Sequence, residues 1–157
     1  MFDDTNLTFH GFLRAADGTF TVLVAPSADT GTNSGTIAFS ANADATVAGI
    51  MQVASPGAAH SFLRTSNGTY TVFDPTITGV LYSWAFSIND NGAVVGSYTD
   101  GKTSHGYLRT ADGTFVILDA PNAAAPGGTG AERINAAGAV IGFYADPQNV
   151  THGFVYQ

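Results

Sequence analysis

A short phrase recurs four times along the chain: HGFLR at His10, HSFLR at His60, HGYLR at His105 and HGFV at His152, at spacings of 50, 45 and 47 residues. Self-similarity at such a period marks one supersecondary unit used repeatedly, a unit that cannot bury its apolar face alone and must stack on its neighbours. The units read as 10–59, 60–104 and 105–151, with a partial unit at 152–157 and the tail of another at 1–9, all within a single domain spanning 1–157.

Each unit reads as two hairpins. In the first, apolar residues alternate over His10–Arg14 and Thr19–Val24 across an Asp17-Gly18 turn, and Asn67-Gly68 and Asp112-Gly113 repeat that turn. Such pairs accept the positive φ of tight turns, and β-branched and aromatic residues on both sides predict strands. The second hairpin reads IAFSANADATVAGI, WAFSINDNGAVVGS and GAERINAAGAVIGF, with Gly49, Gly96 and Gly142 recurring inside its second strand. A strand-interior glycine predicts a bulge or the close approach of another backbone. Between the hairpins lie Ala25–Gly35, Pro75–Tyr82 and Ala120–Gly130, the segments that differ most between copies. In repeat proteins such variable loops gather on one face, often the binding face.

No segment sustains a 3.6-residue apolar period, so the fold class is all-β: an array of four-stranded antiparallel units. A unit of this size fits a β-propeller blade, while β-trefoils and β-prisms also use about three such units. The pattern A-x-S-I-N-x-x-G-x-V-V-G, then H-G-F-L, then D-G-T-F, resembles the HAF-type extracellular repeat family of bacteria over nearly the whole chain, with copies two and three matching best. That resemblance implies a β-propeller in an extracellular or cell-surface setting, and it brings no catalytic motif with it. By analogy with other propellers, AFSIND would be the innermost strand and GTFTVLD the rim. Two complete blades would then stand between partial ones, and open sheet edges invite pairing, so further copies of the chain are expected to complete a ring as a homo-oligomer.

Charge narrows the partners. The net charge is −7, with five Lys and Arg in all, none adjacent. Nucleic-acid binding requires a basic patch that displaces counterions, and anionic membranes ask for the same, so neither is expected. Cysteine is absent, which removes disulfides, thiol nucleophiles and Cys-ligated metals. Residues 1–10 lack the basic start and apolar core of a signal peptide, and no apolar run is long enough to span a bilayer.

Two sets of residues are candidates for chemistry. His10, His60, His105 and His152 occupy one repeat position. They are either a ring of imidazoles for a divalent metal such as zinc or four copies of one structural hydrogen bond. The second set departs from the repeat. Glu132, the single glutamate, stands where other copies have Phe39 and Phe86, and Arg133 replaces Ser40 and Ser87. Strand alternation places Glu132 and Arg133 on opposite faces, so each is expected to find water or a partner other than its neighbour. Tyr82 and Trp84 stand where other copies carry glycine or Ile37, offering a stacking platform for a ring. Asp74 and Asp119, each ahead of a loop, read as turn devices, and Arg14, Arg64 and Arg109 as hairpin hydrogen-bond donors.

Three functions follow. The first is an extracellular binding or scaffold module that holds a small molecule, a carbohydrate above all, on the variable-loop face through Tyr82 and Trp84. The second is a small hydrolase, in its metal form zinc-dependent, with Glu132 or a histidine as base and Arg133 stabilising an anion. The third is a structural repeat fragment that self-assembles.

Overall fold

The structure is a computed structural model that describes residues 2–3, 8–28, 31, 33–54 and 58–157. Most of the tail at 1–9 and part of the first variable loop therefore lie outside the described residues. The described residues contain no helix. Their strands are β1 (Phe2–Asp3), β2 (Phe9–Arg14), β3 (Phe20–Leu23), β4 (Gly35–Ala41), β5 (Val47–Gln52), β6 (Ala59–Arg64), β7 (Tyr70–Phe73), β8 (Tyr82–Ile88), β9 (Val94–Thr99), β10 (Ser104–Arg109), β11 (Phe115–Ile117), β12 (Thr129–Ile134), β13 (Val140–Ala145) and β14 (Thr151–Tyr156).

These strands form three open sheets, antiparallel but for one junction. β8 to β11 make a four-stranded meander and β12 to β14 a three-stranded one. β4 to β7 make another four-stranded meander, joined to β1–β3 by a single parallel pair between Phe9 and Gly35, where the Phe9 N–H donates to Ser34 O at 2.9 Å. The hairpin turns follow the sequence closely. In β10–β11 the Gly113 N–H donates to Thr110 O at 2.9 Å, and φ of 94° at Gly113 is a value that side chains resist.

The first strand of each meander carries a one-residue bulge at the same place, with Phe39, Phe86 and Glu132 as the extra residues. A bulge re-aims its side chain and breaks the strict alternation of faces. The recurrent glycines answer it from the partner strand. A Cβ on Gly96 would lie 1.8 Å from Trp84 O, and one on Gly49 2.1 Å from Ile37 O.

Successive sheets pack against each other through small apolar clusters. Ala48, Ala85, Ile88 and Val94 join the first and second, and Val95, Ala131, Ile134 and Val140 the second and third. Equivalent asparagines stitch the same seam. Asn42 Nδ2 donates to Asn89 O at 3.3 Å, and Asn89 Nδ2 to Asn135 O at 3.1 Å. Each asparagine also closes its own turn, Asn89 Oδ1 accepting from the Ala93 N–H at 3.0 Å and Asn135 Oδ1 from the Ala139 N–H at 2.9 Å. One side chain therefore sets both the hairpin and its distance from the next hairpin.

Candidate functional site

A groove of about 260 Å³ opens between the second and third sheets, lined by Trp84, Phe86, Ser97, Ser104, Gly127, Thr129, Gly130, Glu132 and Phe143. Two substitutions relative to the other copies account for the space. Ser97 stands where the first sheet has Ile50, and Gly130 stands where the other two first strands have Ile37 and Trp84. Phe143 takes part of the vacated room, its ring 2.9 Å from where a Gly130 Cβ would be. Gly127 and Thr129 bring the third variable loop to the mouth of the groove.

Trp84 and Glu132 face this space together, as do Phe86 and Glu132, the bulge residues of adjacent sheets. Phe39 meets Phe86 edge-on at 5.4 Å between ring centroids, so the row of bulge residues begins with two phenyl rings and ends in a carboxylate. Tyr82 lies against Trp84 with ring centroids 6.0 Å apart and is not itself a wall of the groove.

The expectation that Glu132 and Arg133 cannot pair needs correction. Arg133 Nη1 donates to Glu132 O at 2.8 Å and stands 3.7 Å from Glu132 Oε2. The bulge at Glu132 explains the proximity, because the residues on either side of it no longer alternate. The Arg133 side chain is 63% exposed, so the attraction is weak, and 3.7 Å is too long for a hydrogen bond. Among the described residues no hydrogen bond reaches the Glu132 carboxylate oxygens.

The histidines do not converge: two pair within their own unit and His152 with the loop just before it. His60 Nδ1 pairs with Asp74 Oδ2 at 2.8 Å, His105 Nδ1 with Asp119 Oδ2 at 2.8 Å, and His152 Nε2 with Asp146 Oδ2 at 2.9 Å. His105 stacks on Tyr98 and His152 on Tyr144, at centroid distances of 4.8 and 5.0 Å. Asp74 and Asp119, read as turn devices, are thus imidazole partners. In the first copy Val24 replaces that aspartate, and among the described residues His10 Nδ1 is buried without a partner. Among the described residues no group of three or more His, Cys, Asp or Glu side chains is placed to hold a metal ion.

A buried polar chain runs from His60 into the second sheet. Ser83 Oγ donates to Asp74 Oδ1 at 2.6 Å and meets Ser61 Oγ at 2.8 Å. Ser61 Oγ lies 3.0 Å from Tyr107 Oη, which donates to Trp84 O at 3.2 Å. Ser61, Ser83 and Tyr107 are all 0% exposed. Burial raises the Tyr107 phenol far above its ordinary pKa, so it remains a neutral donor. Serine, histidine and aspartate together suggest nucleophilic catalysis, but here the carboxylate sits between hydroxyl and imidazole. In a triad the imidazole bonds the nucleophile's hydroxyl; here it does not, and Ser83 is fully buried away from any substrate. The chain ties two sheets together.

The arginines cap their hairpins and lie over aromatic rings. Arg64 Nη1 donates to Thr65 O at 3.3 Å, and the Arg64 guanidinium is 5.9 Å from the Tyr70 ring, as Arg14 is 5.8 Å from Phe20. Arg109 sits over Phe73 of the preceding copy at 4.8 Å.

Departures from the repeat in the first strand of each meander point to Trp84 and Glu132 but not to Phe143 and Ser97. The same comparison applied to the second strand (Ile50, Ser97, Phe143) finds both. Ser104 and Thr129 carried no comparable signal, since a hydroxyl at those positions is ordinary in this chain. No family model matches the chain. Comparison with curated proteins and with solved structures finds no significant match either.

Proposed function

We propose that the protein is a binding module that holds a carbohydrate ring in the groove between β8 and β12. One observation carries this reading: Trp84, Phe86 and Phe143 supply aromatic walls, while Ser97, Ser104, Thr129 and Glu132 offer hydroxyls and a carboxylate in the same space. A sugar ring has an apolar C–H face that suits an indole or phenyl wall and a hydroxyl rim that suits such polar groups. Hydrolysis has weaker support. Glycoside cleavage by the usual route takes two flanking carboxyls, and among the described residues of the groove Glu132 is the one carboxyl.

The same proposal takes the successive sheets as blades of a β-propeller, with β4, β8 and β12 nearest the axis, in an extracellular setting and with further copies completing the ring. The row of Phe39, Phe86 and Glu132, and the Asn42–Asn89–Asn135 stitch, support a common axis. Trp84 is the single tryptophan, so its fluorescence reads the groove directly. Saturable quenching by oligosaccharides, with binding by calorimetry lost in Trp84→Ala, is the expected result. An array of neutral, basic and acidic saccharides that leaves Trp84 emission unmoved would remove the carbohydrate reading.

A further inference from the structure

We infer that the sugar held in this groove carries a protonated amine, so that the ligand class is an amino sugar such as an unacetylated glucosamine unit; this deepens the carbohydrate-binding reading and rests on it. The argument begins with Glu132. Its side chain is 38% exposed, it shares the groove with three aromatic rings, and among the described residues its carboxylate oxygens accept no hydrogen bond. A carboxylate is an acceptor with room for several donors. Arg133 does not fill that role, since its Nη1 is committed to Glu132 O and stands off from the carboxylate.

The Glu132 carboxylate is therefore open to a ligand's donor, and the strongest such donor is cationic. A charge-assisted bond to carboxylate is about twice as strong as a neutral one. The aromatic walls add to the preference, because an ammonium near the face of an indole or phenyl ring is attracted by the ring quadrupole. The chain's net charge of −7 favours approach of a cation over approach of a uronic acid. An N-acetylated sugar would keep the stacking and lose the ion pair.

The test titrates the full chain with two β-1,4-linked oligosaccharides of equal length, one of glucosamine and one fully N-acetylated, at a pH where the free amines are protonated. Trp84 fluorescence and calorimetry are the readouts. The aminated oligomer should bind at least about tenfold more tightly, a preference that shrinks with added salt. Glu132→Gln should remove the preference, lowering affinity for the aminated oligomer by about tenfold or more, to that of the N-acetylated one. Arg133→Ala, at an exposed position that leaves the fold intact, should widen the preference. Equal affinities, or a preference that survives Glu132→Gln, overturn the amine assignment and leave carbohydrate binding standing. Absence of binding by both oligomers overturns the amine assignment, and with no response to any saccharide the carbohydrate reading falls too.

Discussion

Replacing Tyr107 by phenylalanine tests whether the buried polar chain between the first and second sheets holds them together. The change removes one hydroxyl from a site that is 0% exposed and leaves the ring against Phe73 and Phe115. Two contacts are lost, to Ser61 Oγ at 3.0 Å and to Trp84 O at 3.2 Å. The one Ser61 hydroxyl proton serves both Tyr107 and Ser83, whose own protons go to Trp84 O and Asp74, and it turns to Ser83, so the loss amounts to between one bond and two. At about 1 kcal/mol net for each ordinary bond, the expected cost is about 1–2 kcal/mol. For a domain of this size that lowers Tm by roughly 2–4 °C per kcal/mol. The neighbouring copies provide the control, since the positions of Ser61 and Tyr107 are Gly11 with Phe62 on one side and Gly106 with Phe154 on the other. Ser61→Gly combined with Tyr107→Phe should therefore cost about 1 kcal/mol less than the sum of the single changes. Urea unfolding followed by Trp84 fluorescence measures the three variants and the unchanged protein. A neutral Tyr107→Phe, or a cycle that closes additively, refutes the claim that these residues act as one network.

Ser97→Ile introduces the side chain that the first sheet carries at this position (Ile50), and should fill the groove, abolishing saccharide quenching of Trp84 while circular dichroism stays unchanged. Val24→Asp supplies His10 with the partner its equivalents have, and should stabilise the fold by about 0.5–1 kcal/mol; an unchanged Tm would show that His10 needs no partner. Asp17 and Asp100, held first by backbone hydrogen bonds in their turns, Asp112, held first by the Thr110 hydroxyl, and Asp146, held first by His152, all have pKa values lowered from the ordinary carboxylate value. A depressed folded-state pKa gives stability that is present above the unfolded value of about 3.9 and is lost as pH falls through the folded value. Urea midpoints should accordingly hold down to about pH 4 and drop below it, with the drop shallower in Asp112→Asn.

How far the fold was legible in the sequence depends on the range of the interaction concerned. Turn chemistry at Asp17-Gly18 or Asn89-Gly92 acts over four residues and leaves its mark in the residues themselves, so strands, hairpins and their antiparallel order follow from the chain read in order. The partner of His60 was harder to read, because Asp74 also makes sense as a turn residue before a proline. Only the pairing of β6 with β7 brings the two within 2.8 Å. The opposite-face assignment of Glu132 and Arg133 failed for a related reason: alternation holds in a regular strand, and a one-residue bulge, set by how β12 meets β13, cancels it.

The repeat, the all-β class and the places where one copy departs from the others are properties of the chain alone, because local propensity and periodicity are written residue by residue. Which departures meet was decided by the packing of the second sheet on the third. That packing brings Trp84, Ser97, Gly130, Glu132 and Phe143 around one space, although up to 59 positions separate them. The contact of one repeat with the next depends on side-chain volume across a seam, and volume missing from two strands at once is a quantity that no single stretch of sequence contains.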